Sequence, residues 1–97
     1  MRVPCSLVLF AALSACDSPS PEFMGVDPTP VEVDGSTFSV RVSGDQAEAI
    51  RTNTEWAPNL ASVAPRAVAA MERVSRCRVV DGSVEGDAAV VRAALDC

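Results

Sequence analysis

Ala88-Ala89-Val90-Val91-Arg92-Ala93-Ala94-Leu95-Asp96-Cys97 alternates cleanly between two faces. Ala89, Val91, Ala93, Leu95 and Cys97 point one way and Arg92 and Asp96 the other, the period of a β-strand with one buried side. Its expected antiparallel neighbour is Cys77 to Val80, with a turn near Gly86-Asp87. A bulge at Asp81-Gly82 would keep Cys77, Val79 and Val84 on the inner face. That pairing sets Cys77 opposite Cys97, the first residue of a hairpin against its last, as a cross-strand disulfide requires. No Cys-x-x-Cys spacing is present, so a structural bridge is favoured over a redox-active pair. Closing a loop of about twenty residues contributes roughly 3 kcal/mol on the chain-entropy account.

Working upstream, Leu60, Val63, Ala64, Ala67, Val68, Met71 and Val74 recur at three- and four-residue steps and predict an amphipathic helix ending near Ser75. Pro65 is expected in its first turn, where a missing N–H costs nothing, which makes Ser62 the N-cap. Arg66, Glu72 and Arg73 would face water, and the many alanines would let the helix lie close to a sheet. Before the helix, Thr52 to Asn59 reads as a polar loop that holds the sole tryptophan, Trp56.

Val31-Glu32-Val33 and Thr37 to Val42 flank Asp34-Gly35-Ser36, and an Asp-Gly pair between alternating apolar residues signals a hairpin. Phe38, Val40 and Val42 share one face; Thr37, Ser39 and Arg41 share the other, which is expected to be wet. Gln46 to Asn53 is ambiguous, since Asp45 and Glu48 have capping-box spacing, but its length suits a third strand and strand is the reading adopted. The expected fold class is α+β: a small antiparallel sheet of four to five strands, one helix packed on one face, and a disulfide-closed C-terminal hairpin.

The N-terminal part has a different character. Met1-Arg2 carries one positive charge, Val3 to Leu13 is apolar, and Leu13-Ser14-Ala15-Cys16 follows. This arrangement resembles the lipobox of a bacterial prolipoprotein, in a signal segment too short to span a bilayer. The resemblance implies cleavage before Cys16, acylation of that residue, loss of Cys5 with the signal, and anchoring in a bacterial inner or outer membrane with the domain facing the periplasm. Asp17 resembles an inner-membrane retention signal of enteric bacteria, a code that varies between bacterial groups.

The corresponding division is a signal peptide over 1–15, an acylated Cys and Pro-rich tether over 16–29, and a single domain over 30–97. Pro19, Pro21, Pro28 and Pro30 among Ser, Asp and Glu predict an extended tether. It would hold the domain a few nanometres from the acyl chains, at about 3 Å per residue. Phe23 and Met24 are the exceptions within it, expected to fold back on the domain.

Composition narrows the chemistry. All basic residues are Arg and there is no His, which leaves out the usual neutral-pH proton shuttle and imidazole ligand. A formal net charge of -5 argues against nucleic acid or anionic lipid as the natural partner. No cofactor is expected. No spacing singles out a nucleophile with its base or a carboxylate pair, so an enzyme is not the expectation.

Asp81, Glu85 and Asp87 bracket an acidic turn with oxygen ligands at alternate positions, as in an EF-hand loop, but Arg92 stands where the bidentate Glu is needed. Calcium or small-molecule binding there is the alternative to a simple turn. Arg51, Asn53 and Trp56 form a polar-aromatic cluster that could contact an envelope protein partner, with Trp56 expected to cap one end of the core. The leading expectation is a lipid-anchored interaction or structural module of the cell envelope, whose sheet edge or exposed strand face contacts another envelope protein.

Overall fold

The computed structural model describes residues 19–97. Cys5, the box Leu13 to Cys16 and Asp17 lie outside the described residues. Among those described are a short 3-10 turn at Pro21–Phe23, six strand segments and one α-helix. The strands are β1 (Thr29–Val33), β2 (Ser36–Ser43), β3 (Gln46–Arg51), β4 (Arg78–Val79), β5 (Glu85–Gly86) and β6 (Val90–Asp96), and helix α1 is Leu60–Ser75.

The first hairpin turns on two residues, Asp34 and Gly35, with φ of 49° and 88°. Positive φ at both positions is the twist-matched turn that an Asp-Gly pair favours. Ser36 already belongs to the strand, facing Val33. The third segment is indeed a strand, because both of its faces are covered: Ala47 and Ala49 on the helix side, Glu48 and Ile50 on the other.

The sheet order is β1-β2-β3-β6-β4, with β5 also paired to β6, and all of these pairings are antiparallel. The last strand thus lies inside the sheet, between β3 and the β4/β5 edge. Arg78 and Val79 face Asp96 and Leu95, whereas Glu85 and Gly86 face Arg92 and Val91. Five residues, Val80 to Val84, therefore stand opposite Ala93 and Ala94, a wider bulge than the one expected at Asp81-Gly82. The Ser83 hydroxyl fills the interrupted ladder by accepting from Ala94 N at 3.1 Å and donating to Val80 O at 2.7 Å. Cys77 and Cys97 are bridged, with Cα atoms 4.6 Å apart.

Helix α1 lies on one face. Ala67 and Ala70 meet a sheet surface that is itself alanine-rich (Ala47, Ala49, Ala93), and Phe38, Val40, Val63, Met71, Val91 and Leu95 fill the space around them. The helix starts earlier than expected. Asn59, not Ser62, is the N-cap: its Oδ1 accepts from Ser62 N at 2.9 Å, and Ser62 Oγ accepts from Asn59 N at 3.3 Å. This reciprocal pair is a capping box with Ser62 in the third helical position. Pro65 consequently sits inside the helix, beyond the four amides that lack partners. Arg66 and Glu72 do not simply face water either: Arg66 reaches Ser36 and Glu55, and Glu72 accepts from Val79 N at 2.9 Å.

The second face of the sheet is not wet where it meets the N-terminal segment. Phe23 is 1% exposed and covers it, while Met24 stays 67% exposed, so only the first of the pair folds back. Burying a phenylalanine stabilises by about 2 kcal/mol. Ser20 donates from its N–H to both Glu48 carboxylate oxygens, at 3.2 and 3.4 Å, and from its hydroxyl to Glu48 Oε2. Arg41 Nε donates to Val26 O at 3.0 Å. The stretch read as an extended tether up to Pro30 is thus bound to the sheet from Ser20 onward.

Candidate functional site

One end of the sheet gathers three connections: the Asp34-Gly35 turn, the loop 52–59 and the tight turn after β5. Arg51 is the tie between them. Its Nε donates to Ala88 O at 2.9 Å and its Nη1 to Asn53 O at 2.6 Å, while its backbone N–H donates to Ala89 O at 2.9 Å. Asn53 then extends the β2/β3 ladder with its side chain. Asn53 Oδ1 accepts from Thr37 N at 3.0 Å, and Nδ2 donates to Gly35 O and to Glu55 Oε2.

Below the loop, Ser36, Glu55 and Arg66 form a latch. The Ser36 hydroxyl donates to Glu55 Oε2 and accepts from Arg66 Nη1 at 2.6 Å, and Arg66 pairs with Glu55 Oε1 at 3.5 Å. Ser36 is fully buried, so its hydroxyl meets no solute, and the group acts as a fastener between β2, the loop and the helix. Arg66 Nη2 also donates to Ser62 O at 2.8 Å.

On this framework stands Trp56, 96% exposed. It does not cap the core, contrary to the expectation from its being the only Trp. The reason is local: Glu55 is drawn down by Ser36, Asn53 and Arg66, Ala57 follows in the left-handed region at φ 46°, and the ring is left outside. Of the three residues predicted to form a cluster, Arg51 and Asn53 come together as the scaffold of the loop, and Trp56 is the surface they present. The charged residues that flank Trp56 on either side in the sequence, Glu55 before it and Arg66 after it, are paired with each other, and residues 56–65 carry no charge.

The Ser36 hydroxyl, more than any other neighbour, holds the Glu55 carboxyl below its ordinary value of 4.5. Asn53, Arg66 and Arg51 act in the same direction against partial desolvation. At the adjoining turn, the N–H groups of Val90 and then Ala89 hold Asp87 below its ordinary 3.8. Both carboxyls bind protons less readily in the folded chain than in the unfolded one. Their stabilisation is therefore complete above the ordinary values and is lost as pH falls through the lowered folded ones. Thermal melts are expected to weaken below about pH 4.5, and Glu55→Gln to flatten part of that slope. An unchanged slope in the variant would rule out Glu55 as a source.

The acidic turn resolves into separate duties. Asp87 Oδ1 accepts from Ala89 N at 2.8 Å and Val90 N at 2.9 Å, Glu85 lies 4.0 Å from Arg92, and Asp81 is exposed on the bulge. Among the described residues no group of three or more potential metal ligands is assembled. Asp81 does line an open cleft of about 220 Å³ at the β4 edge, together with Arg78, Val79, Val80 and Asp96. No helix among the described residues is long and apolar enough to cross a membrane.

Sequence reasoning missed Ser36, Glu55 and Arg66 because they are far apart in the chain, and missed Glu48 because a buried carboxylate needs a partner that only the fold supplies. No protein-family model, curated protein or solved structure matches this chain.

Proposed function

We propose that this protein is a lipid-anchored lipoprotein of the bacterial cell envelope, acylated at Cys16, whose domain faces the periplasm and engages an envelope protein through the loop bearing Trp56. The observation that carries the reading is Trp56 itself, a large aromatic almost wholly exposed on a loop held by hydrogen bonds. Tryptophan is among the residues that most often dominate protein interfaces, and a loop already held in place loses little freedom on binding. The lipobox-like run Leu13 to Cys16 supports anchoring, and the Cys77–Cys97 bridge suits an oxidising compartment.

The test is a photo-crosslinking residue placed at position 56 in the full chain, expressed in a bacterial envelope and irradiated before extraction. One predominant crosslinked protein is expected, with no such product from the same residue at position 73 on the helix. Equal products from both positions would overturn the assignment of the contact to this loop. Trp56→Ala is expected to abolish recovery of that protein while changing stability by less than about 0.5 kcal/mol, since the ring packs on nothing in the domain. Intact mass of the membrane-extracted chain tests acylation separately: a chain without acyl groups on Cys16 would remove the anchoring reading.

A further inference from the structure

Accepting the anchoring at Cys16 on which it rests, we infer that the domain does not stand off from the bilayer: its side opposite the helix, where the segment from Ser20 to Val26 covers the sheet, lies against a lipid surface of zwitterionic headgroups.

The argument begins with Ser20, whose N–H and hydroxyl bind the fully buried Glu48 carboxylate. Phe23, buried three residues later, fixes the same segment a second time. Glu48 is in the middle of the sheet. Across it runs a row of cross-strand partners, Arg41 opposite Glu48, Glu48 opposite Arg92 and Arg92 opposite Glu85. The chain therefore enters over the centre of one face, not at an edge or a corner.

Only three residues lie between Cys16 and Ser20, four Cα-to-Cα steps with a reach of at most about 14 Å. To lay the helix on the bilayer instead, the chain would have to pass a sheet edge and a helix about 10 to 12 Å across. That is beyond its reach from the middle of the opposite face. The stand-off of a few nanometres expected for a tether running to Pro30 is thereby removed, because residues from Ser20 onward are spent on the sheet.

The chemistry of the face suits headgroups that carry both charges. Met24 offers an exposed apolar side chain beside the entry point, Arg41 and Arg92 are half-buried and engaged by Val26 O and Glu85, and Glu22 and Asp27 are exposed acids on the same segment that would repel anionic headgroups. Such a mixture favours zwitterionic over anionic lipid.

The full acylated protein, reconstituted in vesicles of phosphatidylethanolamine and phosphatidylcholine, provides the test. A fluorophore is attached under non-reducing conditions to Met24→Cys or, as the control on the outer surface of the helix, to Ala61→Cys. A lipid spin-labelled near its headgroup is expected to quench the label roughly threefold more strongly at position 24 than at 61. A Gly-Ser insertion of about twelve residues between Ser18 and Pro19 is expected to bring the ratio to one. Acylated protein with equal quenching at both positions would overturn this inference alone and leave the anchoring intact. Absence of acyl groups by intact mass would overturn the anchoring and the inference together.

Discussion

Reducing the Cys77–Cys97 disulfide is expected to lower the unfolding free energy by about 3 kcal/mol, seen as a melting temperature lower by roughly 15 °C. The size follows from what the bridge encloses. Its loop spans 20 residues, from the start of β4 through the bulge and β5 to the end of β6. Without it the edge is held by two residues of β4 and two of β5, a ladder interrupted over Val80 to Val84. A domain of this length has only about 5 to 10 kcal/mol in total, so the loss is a large fraction of its stability. Urea titrations with and without a thiol reductant measure it, and the Cys77→Ser, Cys97→Ser double variant is expected to match the reduced protein. A shift below about 1 kcal/mol would mean that the helix and the β3/β6 ladder already hold the hairpin in place.

Gly86→Ala is expected to cost about 3 to 4 kcal/mol, from two separable causes. The backbone at Gly86 has φ of 120°, a conformation that residues with a side chain rarely adopt. A Cβ there would also lie 2.1 Å from Val90 O and 3.1 Å from Val90 C, backbone atoms that cannot swing aside as a side chain can. Val90 O accepts from Asp87 N in the tight turn, so relieving the clash breaks the turn. Gly44 supplies the comparison: its φ is 60° and nothing lies within 4 Å of the added carbon. Gly44→Ala should therefore cost only about 1 kcal/mol, the backbone part by itself. Chemical denaturation of the two variants checks the difference, and equal losses would show that the clash relaxes freely. Because Gly86 and the disulfide act on one hairpin, their effects are not expected to add.

The parts of this fold that could be read in advance are those written in neighbouring residues. The Asp34-Gly35 turn, the alternation over Val90–Asp96, the stripe of α1 and the pairing of the two cysteines all depend on local spacing, and all are present in the structure, whereas Ala89 and Cys97 at the ends of that run are exposed. Errors arose where two local signals competed. Ser62 is a good N-cap by type, but Asn59 three residues earlier is another, and placing Pro65 in the first turn favoured the wrong one.

What depended on distant residues was not legible. The insertion of β6 beside β3, the covering of the second face by Ser20 and Phe23, and the latch of Ser36, Glu55 and Arg66 leave no periodic trace. Trp56 shows the limit most clearly. In a chain poor in aromatics burial is the reasonable expectation, and it is reversed by hydrogen bonds that pull the preceding residue inward.

The position of β6 governs when the molecule can become itself. A strand that is last in order but interior in the sheet must arrive before β3 gains its second neighbour or the β4/β5 edge gains any. A chain emerging from its N-terminal side can pair β1, β2 and β3 and lay the helix on them, but the β3/β6 ladder joins residues more distant in sequence and forms later. Until β6 docks, the exposed edge of β3 is open to any other strand, and that interval is when the chain is most liable to pair wrongly.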